Sequence, residues 1–113
     1  MERPNAWLTY SDADMQDLET VAKKYRHFLN VGKTERECIT QIVKEAEEAG
    51  YVSFEEKVKN GEDLKAGDKV YQVGMQKIIA LYHMGEDDLA QGMNILCAHI
   101  DSPRLDLKQN PLY

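Results

Sequence analysis

The amino-acid sequence predicts an α/β fold in which two helices are followed by three strands. In the first half of the chain, apolar residues recur at steps of three and four, the period of an amphipathic helix. After Gly50 the pattern changes to short apolar runs, which are typical of strands. Proline is absent from Asn5 to Ser102, so these elements are not interrupted. The 113 residues, 42% of them apolar, are sufficient for one globular domain or part of one.

The first helix is predicted from about residue 11 to residue 29. Ser11 followed by Asp14 forms an N-cap with an acidic residue in the first turn, where the helix dipole favours negative charge. Gly32 follows the helix and favours its termination. One apolar stripe runs along the helix and consists of Met15, Leu18, Ala22, Tyr25 and Leu29.

The second helix is predicted from about residue 35 to residue 49. Thr34 and Glu37 have the spacing of a capping box. Gly50 can adopt the left-handed conformation that often ends a helix. The expected buried face contains Cys38, Ile42, Val43 and Ala46, with Ile39 beside them.

Three strands are predicted in the second half of the chain. Residues 69–73 and 77–84 are expected to form a hairpin, because a short connection containing a glycine separates them. Residues 93–100 are apolar on both faces, which predicts a strand inside a sheet that is covered on both sides. Before the hairpin we expect a short extended piece over residues 51–54 and an irregular loop over residues 55–66.

Composition makes nucleic acid and membranes improbable partners. The chain has 14 basic and 20 acidic residues, a net charge of −6, and no basic cluster. Nucleic-acid binding normally requires clustered Lys and Arg, and a membrane span requires about 20 apolar residues. Cys38 and Cys97 lack metal-site or redox spacing, and no signal peptide is recognisable. We therefore expect a cytoplasmic protein with reduced thiols.

The best candidate for chemistry is the sequence His-Ile-Asp-Ser-Pro that begins at His99. Residues i and i+2 of a strand face the same way, so His99 and Asp101 are expected to project together at the end of the third strand. A carboxylate beside an imidazole can fix its tautomer while the other ring nitrogen binds a metal. The alternative is a structural pair, a histidine satisfied by a neighbouring carboxylate.

A longer segment around this motif resembles a known family. Residues 92–105 read Gly-Met-Asn-Ile-Leu-Cys-Ala-His-Ile-Asp-Ser-Pro-Arg-Leu and resemble the first metal-ligand segment of the aspartyl aminopeptidases, which are cytosolic dinuclear zinc exopeptidases. Three other segments resemble the same family in the same order, so the likeness covers nearly the whole chain. They are residues 25–34, residues 47–51 and residues 69–81.

This resemblance implies the identity of the site residues. The resemblance implies that His99 is a zinc ligand and that Asp101 is the catalytic-site carboxylate that orients His99. It implies two zinc ions in the complete enzyme, peptide substrates and hydrolysis of the N-terminal residue. It also implies that residues 1–113 are the N-terminal part of a three-layer αβα metallopeptidase domain, since the family's catalytic glutamate and remaining ligands follow this segment. The 113 residues alone are therefore predicted to be inactive.

Departures from the family pattern affect the predicted specificity. Ile100 replaces the usual Thr, Arg104 replaces Cys and Asp106 replaces Arg, a pattern that suits a bacterial branch. The Arg-to-Asp change weakens the expectation of an acidic N-terminal substrate residue. A second hypothesis is a small non-enzymatic α+β binding module in which His99 and Asp101 are only structural. If the chain is part of the enzyme, the apolar third strand predicts self-association or packing against further sequence, whereas a monomer would favour the binding module.

Overall fold

The computed structural model describes residues 5–101, 105, 107–110 and 112. The chain forms three α-helices and one three-stranded sheet within this part. Short 3₁₀ turns lie at Ala6–Leu8 and Leu89–Gln91. In chain order the elements are α1 (Asp12–Val31), α2 (Glu35–Glu48), β1 (Val52–Ser53), α3 (Phe54–Lys59), β2 (Lys69–Gly74) and β3 (Ile78–His83).

The predicted first helix is confirmed as α1, and its cap forms as expected. The Ser11 hydroxyl accepts a hydrogen bond from the Asp14 backbone N–H at 3.3 Å, and the Asp14 carboxylate accepts one from the Ser11 N–H at 2.8 Å. This is a complete capping box. The hydrogen bond from the Ser11 hydroxyl lowers the pKa of Asp14, since it favours the charged carboxylate.

The second helix is confirmed as α2, with one difference at its N-cap. The Thr34 hydroxyl accepts the Glu37 backbone N–H at 3.3 Å, as predicted. The Glu37 carboxylate, however, accepts the backbone N–H of Lys33 at 3.0 Å. The predicted capping box is therefore only half formed, because the carboxylate reaches past the N-cap residue to the residue before it.

The C-terminus of α2 is a Schellman motif. Gly50 has φ +86°, as predicted for a glycine at this position. Its N–H donates to the Glu47 carbonyl at 3.0 Å, and the Tyr51 N–H donates to the Ala46 carbonyl at 2.9 Å. The motif turns the chain directly into β1.

The sheet has the order β1-β2-β3. The predicted hairpin is confirmed, since β2 and β3 pair antiparallel, whereas β1 pairs parallel with β2. Met75 and Gln76 at the hairpin turn have φ values of 49° and 56°. Two positive φ values are those of a type I′ turn, which normally selects Asn or Gly rather than these residues.

Residues 55–66 were predicted to form an irregular loop, and this is wrong for the first part of the range. Residues Phe54–Lys59 form α3. The helix has only six residues, too few for a recognisable apolar stripe. Its charges nevertheless complement the helix dipole, since Glu55 and Glu56 lie in the first turn and Lys57 and Lys59 in the last.

The predicted strand over residues 93–100 is not formed, and the third strand of the sheet is β1 instead. No residue from Met93 to Ile100 lies in a helix or strand. A strand requires hydrogen bonds to a neighbouring strand, and in the described part of the chain this segment pairs with none. Its apolar side chains are exposed rather than buried, with Ile95 71% exposed and Leu96 fully exposed. The predicted α/β class is confirmed, while the three-layer arrangement stays a prediction.

The buried core is small for a chain of this size. Among the described residues its apolar members are Cys38, Ile39, Ala46 and Val70, whereas Ile42 and Val43 are only half-buried. No residue of α1 is buried, and Met15 and Tyr25 of its predicted stripe are exposed. The radius of gyration is 19.6 Å, whereas a compact chain of this length has about 13 Å. No helix in the described residues is both long and apolar enough to cross a membrane.

Candidate functional site

The hairpin that precedes the candidate site is fixed to the end of α2. The Tyr71 hydroxyl donates a hydrogen bond to the Glu47 carboxylate at 2.7 Å, and the Lys69 ammonium donates to the Ala49 carbonyl at 3.2 Å. Residues 69 and 71 alternate along β2 and so project from the same face of the sheet. The Lys69 ammonium also lies 5.8 Å from the centroid of the Tyr51 ring. These contacts place α2 on that face.

The contact between α2 and β2 shifts the pKa of Tyr71. The hydrogen bond to the Glu47 carboxylate raises the pKa of Tyr71 to about 12, and partial burial adds to the effect. A phenolate beside a carboxylate is disfavoured, so the proton stays on the phenol. Tyr71 is therefore a structural donor that joins α2 to β2.

A second polar cluster joins α3 to the start of β2. The Lys57 ammonium lies 3.1 Å from the Asp68 carboxylate and 3.3 Å from that of Glu62. Asp68 also accepts the backbone N–H of Lys65 at 3.0 Å. The hydrogen bond from the Lys65 N–H lowers the pKa of Asp68 most, and the hydrogen bond from the Lys57 ammonium lowers it further. The Asp68 carboxylate in turn raises the pKa of Lys57. The cluster holds the connection that leads into the hairpin.

The chain leaves the hairpin through an ordered connection. The Met84 N–H donates to the Asp68 carbonyl at 2.8 Å, which extends the hydrogen bonding of the hairpin beyond β3. Asp88 is exposed and caps the second 3₁₀ turn by accepting the Ala90 N–H at 2.8 Å. Gly92 follows with φ +116° and ψ 175°, a conformation that is essentially restricted to glycine. The candidate segment therefore begins directly after a glycine whose backbone conformation other residues rarely adopt.

The structure does not bring His99 and Asp101 together as a pair. Both side chains are exposed, and within the described residues no hydrogen bond or ion pair joins them or involves either one. Because residues 93–100 do not form a strand, the alternation that would put both side chains on one face does not apply to them. Ser102, Pro103, Arg104 and Asp106 lie outside the described residues.

The donors present fit one zinc ligand but not a complete zinc site. Among the residues that the structure describes, no three His, Cys, Asp or Glu side chains converge on one point. A catalytic zinc ion needs about three protein ligands. His99 offers an exposed imidazole, a usual zinc donor. Any zinc site that uses His99 therefore requires further ligands that the described residues do not place near it.

Comparison with known proteins identifies the family. The family model described as "Aminopeptidase I zinc metalloprotease (M18)" matches residues 28–112, a range that contains both His99 and Asp101. Over 112 residues the chain is 46% identical to the "Probable M18 family aminopeptidase 1" of Clostridium acetobutylicum and 39% identical to that of Thermotoga neapolitana. These alignments cover 99% of this chain but only 24% and 23% of the two relatives. The chain thus spans about a quarter of their length.

A solved structure agrees with the sequence relatives. The crystal structure of aminopeptidase I from Borrelia burgdorferi B31 superposes with a TM-score of 0.79 at 30% sequence identity. The superposition covers 93% of this chain and 25% of that chain. The resemblance noted in the sequence is therefore confirmed by the family model, the sequence relatives and the solved structure. The chain belongs to the M18 family of aminopeptidases.

Proposed function

We propose that this chain supplies a zinc-binding segment of an aminopeptidase that removes the N-terminal residue from peptides. The observation that supports this most directly is the family match over residues 28–112, which spans the His-Ile-Asp-Ser-Pro motif. We further propose that the protein is cytoplasmic and bacterial, that it uses two zinc ions, and that peptides are its substrates. Residues 1–113 would then form the N-terminal part of the catalytic domain.

In this proposal His99 and Asp101 have distinct tasks. One ring nitrogen of His99 donates its lone pair to the metal, and the other carries the proton. The Asp101 carboxylate accepts that N–H, which fixes the tautomer and makes the ring a better donor. Asp101 is thereby a positioning residue for His99. His99 together with further ligands would hold the zinc, which would supply Lewis-acid activation of water and of the peptide carbonyl.

The exposure of the His99 segment supports the proposal that the site needs more than this chain. The segment that carries His99 is exposed and lies outside the sheet, whereas the preceding hairpin is fixed to α2 and α3 through Tyr71 and Lys57. Among the residues that the structure describes, the framework up to Gly92 is thus held by specific contacts, whereas the segment that carries His99 is not. Pairing with a further strand would fix it. Such pairing is expected in the longer enzyme.

The proposal is tested with a joined enzyme, defined as this chain followed by the part of the Clostridium acetobutylicum relative that the chain does not match. We expect the joined enzyme to release N-terminal residues from peptides in a reaction that a chelator abolishes and zinc restores. The 113-residue chain alone is expected to release none.

Two outcomes would contradict the proposal. Peptidase activity of the chain alone would show that it contains a complete site. A folded joined enzyme with no activity on any peptide in a mixed library would leave the alternative of a non-enzymatic binding module with a structural His99 and Asp101.

A further inference from the structure

Helix α1 presents an apolar stripe with the spacing of a coiled coil. The stripe recurs at alternating steps of four and three, as the a and d positions of a heptad do, and consists of Leu18, Ala22, Tyr25 and Leu29. No residue of the helix is buried, and Tyr25 is 61% exposed. Val21, beside the stripe, is 67% exposed. An apolar helix face of this kind is stabilised when a second helix covers it.

One edge of the stripe carries an acidic and a basic residue. Glu19 and Arg26 both occupy the e position that flanks the stripe, one heptad apart. Their side chains are 69% and 64% exposed, and their charged groups lie 3.6 Å apart. Neither residue lies in the first or last turn of α1, so the helix dipole does not explain their placement. Charges at e positions determine how two paired helices are oriented, so these two residues bear on the choice of partner.

These two charges favour one arrangement of two α1 helices. In an antiparallel pair, e positions face e positions, so Glu19 of one copy can lie opposite Arg26 of the other, twice by symmetry. A shift of one heptad in either direction would place two Glu19 or two Arg26 side chains opposite each other. In a parallel pair g positions face e positions, which would place Asp14 opposite Glu19. Repulsion between like charges disfavours all three alternatives.

The apolar residues fit the same arrangement. It places Leu18 of one copy against Leu29 of the other, and Ala22 against Tyr25, so that a small side chain makes room for a large one. Charge and shape are thus complementary in one register. We propose that α1 binds α1 of a second copy of this chain as an antiparallel pair. No residue of this pair belongs to the segment that carries His99, so the inference is independent of the proposed function.

The size of the contact predicts its strength. In this register the two helices overlap over about 16 residues, a length of about 24 Å, and one helix is about 10 Å wide. The contact therefore covers about 240 Å², well below the about 800 Å² that each partner buries in a standard interface. A contact of this size forms a weak dimer, whose dissociation constant we expect in the micromolar range or above.

The experiment measures sedimentation of the 113-residue chain over a concentration series. We expect monomers to convert to dimers as the concentration rises. Glu19→Arg and Arg26→Glu, each made alone, should raise the dissociation constant about tenfold, because each change turns two attractive contacts across the dimer into two repulsive ones. Both side chains are exposed, so the fold of α1 should be retained, which circular dichroism of each variant checks.

A mixture of the two variants separates contact between copies from contact within one helix. Each variant alone also breaks the contact between Glu19 and Arg26 of its own helix. In the mixture that contact stays broken, whereas both charges of one variant face opposite charges on the other. We expect the mixture to form a dimer of one copy of each variant, about as stable as the dimer of the unchanged chain.

The matched control is Lys23→Glu. Lys23 is exposed at a b position, on the side of α1 that faces away from the stripe. The change alters the net charge of the chain by the same amount as Arg26→Glu does. We expect the Lys23→Glu chain to dimerise as well as the unchanged chain, since only the edge of the stripe meets the second copy.

Three results would overturn the inference. The first is an unchanged chain that stays monomeric up to millimolar concentration. The second is a dimer that Glu19→Arg leaves as stable as before, which would assign self-association to another surface, such as the exposed residues 93–100. The third is a mixture that dimerises no better than each variant alone. None of these results bears on the proposed function, because no peptidase activity is measured.

Discussion

Removal of the Tyr71 hydroxyl should loosen the contact between α2 and the sheet. In Tyr71→Phe the ring remains, but the 2.7 Å hydrogen bond to the Glu47 carboxylate is lost. A hydrogen bond to a charged group contributes about 1.5–3 kcal/mol when buried. Tyr71 is only half-buried, so solvent reduces this value. We expect a loss of about 1–2 kcal/mol in the free energy of unfolding.

The same hydrogen bond predicts a pH dependence. The pKa of Tyr71 is raised from 10.0 to about 12 in the folded chain, so the folded state holds this proton more tightly than the unfolded state does. The stabilisation is therefore complete below pH 10 and is lost as the pH rises from 10 to about 12. Tyr71→Phe removes the ionisable group, and with it this part of the decline.

The assay is urea unfolding of the chain followed by circular dichroism, at neutral pH and at several pH values from 9 to about 12. Tyr82→Phe is the matched control, because Tyr82 is exposed on β3 and should change stability by less than about 0.5 kcal/mol. Glu47→Gln combined with Tyr71→Phe should cost less than the sum of the single changes. Equal stability of Tyr71→Phe and Tyr82→Phe, with the same alkaline decline, would refute the reasoning.

Two glycines provide further predictions. A Cβ at Gly32 would lie 2.8 Å from the buried Cys38 Sγ, so Gly32→Ala should lower the free energy of unfolding in urea by about 1–3 kcal/mol. Cys38→Ala in the same chain should recover part of this loss. A double variant whose two effects are fully additive would contradict that contact. The new Cβ of Gly92→Ala would meet no atom within 4 Å, but the alanine would have to adopt φ +116°, so this change should lower the activity of the joined enzyme. Gly85→Ala is the control and should not lower it, because Gly85 has no positive φ. Equal activities of the two variants would show that the backbone conformation of Gly92 is unimportant.

Local signals in the sequence predicted those elements that local interactions stabilise. Ser11 correctly predicted the start of α1, and Gly50 correctly predicted the end of α2. Each of these signals depends only on residues within one helical turn. The β2–β3 hairpin was also predictable, because its strands are close in sequence. The Tyr71 contact with Glu47 was not, because it joins residues 24 positions apart and depends on how the helix packs.

The wrong predictions have physical causes. The helix α3 is a single polar turn and a half, so it leaves no periodic apolar signal. The strand over residues 93–100 was predicted from its apolar composition, which indicates burial but not the partner that provides it. Without a neighbouring strand the segment stays outside the sheet, and the expected pairing of His99 with Asp101 is absent from the described structure. The metal-ligand role of His99 stays a proposal, because the family match covers the segment without assigning its ligands and the geometry does not test it.

The zinc content of the joined enzyme tests the central claim most directly. His99→Ala should lose bound zinc, measured by metal analysis after gel filtration, and most of its peptidase activity, since the proposed ligand is removed. His83→Ala is the matched control, because His83 is an exposed histidine at the end of β3 with no proposed role, and it should retain both. A His99→Ala enzyme with the zinc content and rate of the His83→Ala enzyme would contradict the assignment of His99 as a metal ligand.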